Sequence, residues 1–194
     1  IYAASYRWVG AMMMYLWTIL PMFFAKFAYH ESTQEDKERL LKIGTGITAI
    51  PLLLVAGFSL FYGEKFFFIY QNSSVQEIDV MVELFQVLCF ALCIHGFFAI
   101  LSTYLTSNGH TKFVNSMLGV NIILNMVLNF LFIPSYGALA AAYSTVISTL
   151  IMSISYVIYI QKKQLITLPY LVWLKLILVF CIYICLLYTS PSPR

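Results

Sequence analysis

The sequence predicts an all-α polytopic membrane protein with about six transmembrane helices, and three observations carry that reading. Of 194 residues, 61% are hydrophobic and only 10% charged, with a mean hydropathy of +0.86; soluble domains carry roughly 25% charged residues. Six apolar stretches each approach the ~20 residues a helix needs to cross a hydrocarbon core of about 30 Å. None of them alternates apolar and polar residues as an outer-membrane strand does. Composition therefore excludes a soluble globular domain and the disordered, collagenous and disulfide-scaffold classes. A net charge of +3, dispersed along the chain, gives no basis for a nucleic-acid partner.

The first span is predicted over Tyr6–Tyr29, with Arg7 at its start and Pro21 inside it. The stretch His30–Lys42 is strongly polar. Ser32 with Glu35, and Thr33 with Asp36, fit capping boxes; Glu35/Arg39 and Glu38/Lys42 are i,i+4 pairs of the favoured orientation. Together they predict a short surface helix, a solvated connector leading into a second span at Gly44–Tyr62. A third span covers Val80–Tyr104, a fourth Phe113–Ile133, a fifth Gly137–Ile160 and a sixth Pro169–Leu187. Pro134 with Ser135, Tyr136 and Gly137 marks a tight turn, because proline cannot continue the hydrogen-bond ladder. Pro169 sits where a first helical turn tolerates a missing N–H. Pro21 and Pro51 should kink their spans, with neighbouring helices satisfying the freed carbonyls.

The chain begins at Ile1 without an initiator Met, a basic leader or a cleavage site, so no signal peptide is visible. At the other end the sequence turns abruptly Ser/Pro-rich, and residues 188–194 read as a non-native, adapter-derived tail. Residues 1–187 then read as a fragment cut at both ends. Lys37, Arg39, Lys42, Lys112, Lys162 and Lys163, with Lys26 nearby, fall in one set of alternate loops, and only Lys65 in the other. The first set is cytoplasmic under the positive-inside rule. Asn72-Ser73-Ser74, on the outward side, is a nominal glycosylation sequon and receives no weight. Cys89/Cys93 and Cys181/Cys185 form two pairs four apart inside apolar runs and read as small packing residues, with no metal-ligand spacing.

Covalent chemistry finds little support. No HExxH, GxSxG, paired carboxylate or phosphate-binding glycine loop occurs. The ionisable residues inside the spans are Arg7, His95 and Lys175, with Glu83 near a span end. Arg7 is open to two readings, a snorkelling anchor or a cavity-facing guanidinium suited to an anionic phosphate. His95 reads as a neutral imidazole bonded to a neighbouring helix, with proton coupling as its alternative. Lys175 is placed to snorkel. Asn121, Asn125 and Asn129 lie at i, i+4 and i+8, a stripe that drifts only about 40° per step. It serves either as interhelical hydrogen-bond glue or as a hydrophilic cavity wall able to bond sugar hydroxyls. Asn115 lies off that stripe, near the cytoplasmic mouth. Gly137/Ala141 and Ala140/Ser144/Ser148 are small-residue rows that allow close helix packing. The run Phe66-Phe67-Phe68-Ile69-Tyr70 reads as an aromatic belt at the outer interface.

Ser107-Asn108-Gly109-His110-Thr111-Lys112, then Asn115, Asn121 and Asn125, then the run from Asn129 through Ile133-Pro134-Ser135-Tyr136-Gly137 to Ala142, resembles the C-terminal half of bacterial polysaccharide flippases. That pattern is a short NG-x-T/K loop before an Asn-bearing helix ending N-x-x-L-I-P-x-Y-G-x-x-G-A-A. Tyr2-Ala3-Ala4-Ser5-Tyr6-Arg7, and Pro21 followed by a charged linker, resemble the start and end of the family's eighth helix. The resemblance spans residues 1–188 and is most specific over Asn129–Ala142. It departs where the family often has Gly and this chain has Ala140.

These flippases belong to the multidrug/oligosaccharidyl-lipid/polysaccharide exporter superfamily. The resemblance implies a two-lobed fold of about 12 to 14 helices around a central cavity, of which this chain would supply helices eight to thirteen, most of the second lobe. The implied activity is flipping an undecaprenyl-diphosphate-linked oligosaccharide across the bacterial cytoplasmic membrane by alternating access, for polysaccharide or O-antigen export. The implied partners are the bilayer, the lipid-linked oligosaccharide and an N-terminal lobe of the same chain. No cofactor or metal is implied beyond a coupling ion, H+ or Na+. Arg7 matches by position a basic residue that lines the cavity in the related peptidoglycan-precursor flippases. The substrate-cavity candidates are therefore Arg7, Asn121, Asn125, Asn129 and His95. A multidrug or metabolite cation antiporter of the same superfamily is the first rival, and it predicts a carboxylate at a span centre, where this chain has none. A membrane polysaccharide polymerase or acyltransferase is the second, and it predicts a large outward loop with Arg or His. A nonfunctional fragment is the third.

Overall fold

The computed structural model describes residues 2–29, 31–67 and 75–189. His30, residues 68–70 of the aromatic run, the sequon Asn72-Ser73-Ser74 and the tail from Ser190 onward lie outside them. Among the described residues the chain forms six α-helices and no strand: α1 Tyr2–Ala28, α2 Gln34–Phe67, α3 Val75–Ser107, α4 Thr111–Tyr136, α5 Ala138–Lys163 and α6 Tyr170–Thr189. All six are long and apolar enough to cross a membrane.

The helices outrun the predicted spans because a helix does not end where the hydrocarbon ends. The polar connector is the plainest case. Instead of a separate surface helix, its residues from Gln34 onward form the first turns of α2 itself. The capping box that starts α2 is Thr33/Asp36: the Thr33 N–H donates to Asp36 Oδ2 at 3.1 Å and the Asp36 N–H to Thr33 Oγ1 at 3.1 Å. Ser32 does not join Glu35; its hydroxyl donates to the Lys26 carbonyl at 3.3 Å. The Glu38 carboxylate accepts the Thr167 N–H at 3.4 Å, and Lys37 Nζ donates to Asn108 Oδ1 at 2.7 Å. Gln34 Nε2 donates to the Leu165 carbonyl at 2.8 Å, which also accepts the Tyr104 hydroxyl at 3.0 Å. The connector is thus stapled to the α3–α4 and α5–α6 loops, all at one basic end of the bundle.

Pro134 does not end α4, which continues to Tyr136. Proline keeps a helical φ and removes a single donor, so the stop waits for Gly137, whose φ of +62° a side chain would disfavour. Its N–H closes the last turn on the Ile133 carbonyl at 2.8 Å. α1 and α2 likewise continue through Pro21 and Pro51. Pro51 leaves the Ile47 carbonyl without its donor, and the Tyr15 hydroxyl of α1 donates to that oxygen at 2.7 Å. Pro169 directly precedes α6, and its carbonyl accepts the N–H groups of Val172 and Trp173 at 2.9 and 3.0 Å.

α3 is the central helix. It packs on α1, α2 and α5, while α4 lies mainly on α5 and α6 on α2. One core, around Leu16, Leu52, Leu84 and Leu88, fills the half near the α2–α3 connection. A second, around Phe27, Leu41, Leu101 and Ile160, fills the basic half. α2 and α3 approach closely enough for Thr48 Oγ1 to donate to the Gly96 carbonyl at 2.7 Å. α4 and α6 bury no residue, and their outer faces are apolar, with Phe130 82% and Leu171 73% exposed. Such faces call for lipid or protein around them.

Candidate functional site

The three amides of α4 fall on one side because four residues are just over one helical turn. That side is turned to α5, while Ile122, Ile123, Met126 and Phe130 on the other side are exposed. Asn125 is the junction. Its Nδ2 reaches Ser148 Oγ at 3.3 Å and Thr145 Oγ1 at 3.4 Å, and its Oδ1 accepts Asn129 Nδ2 at 2.9 Å. The Oδ1 atoms of Asn121 and Asn129 are buried without a partner among the described residues. On α5 the small hydroxyls also bond their own helix. Ser144 donates to the Ala140 carbonyl at 2.7 Å and Thr145 to the Ala141 carbonyl at 2.9 Å. A hydroxyl bonded one turn back adds polarity without leaving its own proton unpaired.

Nearer the basic end α5 carries Ser153, Tyr156 and Tyr159, spaced by three. Tyr159 meets His110 Nδ1 at 3.1 Å, and Phe113 stacks on the Tyr159 ring at 3.8 Å with Tyr156 edge-on to Phe113 at 6.2 Å. A cavity of about 170 Å³ lies among α3, α4 and α5, lined by His95, Phe98, Ala99 and Ser102, by Val114 and Leu118, and by Met152, Ser153 and Tyr156. His95 is half-buried and has no hydrogen-bond partner among the described residues.

Arg7 lies on α1, exposed and without a hydrogen bond or ion pair among the described residues. Two residues before it, Ser5 donates to the Met81 carbonyl at 2.8 Å and fixes the start of α1 against α3. Lys175 is exposed on α6. Among the five candidates, the fold joins Asn125 directly to Asn129 and places His95 on the cavity among α3, α4 and α5. No bond among the described residues links Arg7 to the amide row.

Sequence reading identifies the amides but not Thr145, which bonds Asn125, nor Ser153, Tyr156 and Tyr159 nearer the basic end. Their signal is the i, i+3, i+6 spacing of Ser153, Tyr156 and Tyr159, which is hard to separate from small-residue and aromatic packing. Chemically the region offers amides, hydroxyls and the imidazoles of His95 and His110, groups that bond polar ligands without covalent change. Among the described residues no three His, Cys, Asp or Glu side chains gather as metal ligands. In comparisons with known proteins the chain matches no protein-family model, no curated protein and no solved structure.

Proposed function

We propose that the chain is the greater part of one lobe of a polysaccharide flippase, which moves an undecaprenyl-diphosphate-linked oligosaccharide across the bacterial cytoplasmic membrane. The observation that carries this reading is the polar seam between α4 and α5, where Asn125 bonds Thr145, Ser148 and Asn129 inside a largely apolar bundle. Two features support it: the likeness of Asn129–Ala142 to the flippase pattern, and an exposed guanidinium at Arg7 suited to a diphosphate. Moving a charged, sugar-bearing headgroup through hydrocarbon is prohibitive without such a path, because each unpaired polar group costs several kcal/mol. The oligosaccharide passes along a cavity shared with an N-terminal lobe, its lipid tail stays in the bilayer, and the lobes rock about the site. A coupling ion, H+ or Na+, belongs to this proposal.

The test is complementation. The full-length protein should restore surface polysaccharide in a strain lacking its own flippase. Arg7→Ala should reduce export at least several-fold relative to Lys162→Ala; wild-type export from both removes Arg7 from the site. Asn121→Leu with Asn125→Leu separates the two roles of the seam. Lost export at normal membrane abundance marks a cavity wall, whereas lost abundance marks interhelical glue. No restoration by the unaltered protein overturns the flippase reading.

A further inference from the structure

The cavity among α3, α4 and α5 is a different feature from the amide junction, and it poses an accounting problem. Ser153 is 1% exposed, lines the cavity, and its Oγ has no hydrogen-bond partner among the described residues. His95 enters from the opposite wall, also without a partner among them. A buried hydroxyl is rarely left unbonded, since it costs roughly 1–3 kcal/mol when desolvated and unpaired. The buried Ser153 hydroxyl and the half-buried His95 imidazole, on different helices, line one space. The walls between them include the hydroxyl-bearing side chains Ser102 and Tyr156, and the Ser102 hydroxyl already bonds the Ala99 carbonyl at 2.8 Å.

The nature of the occupant follows from what the walls lack. None of the lining residues is Asp, Glu, Lys or Arg; α4 contributes only Val114 and Leu118, and Tyr156 is the titratable group facing His95 from α5. On the α2 side, His95's neighbour Gly96 is covered by Leu52 and by the Thr48 carbonyl. An ion would find no opposite charge to offset its lost hydration. A hydrocarbon chain would leave the buried Ser153 hydroxyl unpaired and offer the imidazole nothing. Water satisfies donors and acceptors alike, takes about 30 Å³ of liquid volume per molecule, and needs two to four polar partners. The cavity offers both the volume and the partners.

We propose that this cavity is a water-binding site, in which a small cluster of ordered waters bridges His95 on α3 to Ser153 and Tyr156 on α5. The cluster ties α3 to α5 through solvent, and it gives the His95 ring proton a route of exchange. The stack of Phe113 on Tyr159, with His110, lies between the site and the basic end. The inference does not depend on the flippase reading.

Two measurements on the whole chain in lipid nanodiscs test it. In a His30→Gln/His110→Gln background, with ¹⁵N-labelled histidine, the His95 ring N–H signal should be lost within minutes of transfer to D₂O. A signal that persists for hours overturns the proposal. Ser153→Ala should lower the melting temperature by roughly 2–4 °C, because the waters lose a partner. Ser144→Ala, which removes a hydroxyl bonded to its own helix, should lower it less. If the cavity is dry, Ser153→Ala removes an unpaired buried hydroxyl and raises the melting temperature, and that result overturns the proposal whatever the exchange rate.

Discussion

The carbonyl of Ile47 shows how a single residue change is absorbed inside a membrane bundle. Proline at position 51 removes the donor that would have closed this turn of α2, and no water is at hand in hydrocarbon to replace it. The Tyr15 hydroxyl from α1 does so at 2.7 Å. Interhelical hydrogen bonds in membranes contribute about 0.6 kcal/mol on average, and intramolecular ones in general about 1 kcal/mol. Tyr15→Phe should therefore destabilise by roughly 0.6–1.5 kcal/mol. In a Pro51→Ala background the introduced alanine supplies its own N–H, so the same Tyr15→Phe change should cost much less. A double-mutant cycle in thermal unfolding measures the coupling; an equal cost in both backgrounds would show that the hydroxyl does not serve the freed carbonyl. Sequence alone implies a carbonyl freed by proline but not which side chain reaches it, because Tyr15 and Ile47 meet only through the register of α1 on α2.

At the scale of elements, α2 and α3 owe their close approach to glycines whose neighbours leave no room for a methyl group. A Cβ on Gly44 would lie 2.6 Å from Cδ1 of Ile100, itself wholly buried. A Cβ on Gly96 would strike buried Leu52 and come within 3.1 Å of the Thr48 carbonyl. Gly46, on the same helix as Gly44, faces open space save for Ile50 at 4.0 Å. Alanine replaces glycine in a helix with a gain of about 0.5–1 kcal/mol where nothing obstructs it, whereas overpacking costs about 1–3 kcal/mol. Gly44→Ala and Gly96→Ala should lower the melting temperature and Gly46→Ala should hold or raise it; three equal effects would refute the close-packing account. The six helices are legible in the sequence because hydropathy over about 20 residues is a strong signal. Their ends are less so. The connector's turns join α2 because a capped polar helix needs no apolar face to continue, and α4 passes Pro134 because the loss of one donor near a helix end is cheap. The amide stripe is legible from spacing within α4. Its partners Thr145 and Ser148, and the placing of His95 and Ser153 on one cavity, depend on how separate helices align, which no spacing within one helix encodes.

On the scale of the whole molecule, the staples described above lie at one end. Lys37 with Asn108, Gln34 with Leu165 and Glu38 with Thr167 join the α1–α2, α3–α4 and α5–α6 connections into one polar, lysine-bearing surface. The opposite end is tied by apolar contacts such as Trp8 against Phe66 at 4.7 Å and Phe67 against Phe85 at 5.4 Å. Such an asymmetry has a consequence for insertion. Lysine and arginine are held on the cytoplasmic side, which predicts that the stapled end faces the cytoplasm and the α4–α5 turn outward. Replacing Ser135 and Lys162 by cysteine, one at a time and with Cys181 and Cys185 changed to alanine, turns this into a labelling experiment in intact cells. A membrane-impermeant maleimide should modify position 135 directly, and position 162 only after the membrane is opened. Both positions are exposed in the fold, so differing access reports which side of the membrane each occupies. The reverse pattern would invert the bundle and place the polar, stapled end on the outer face.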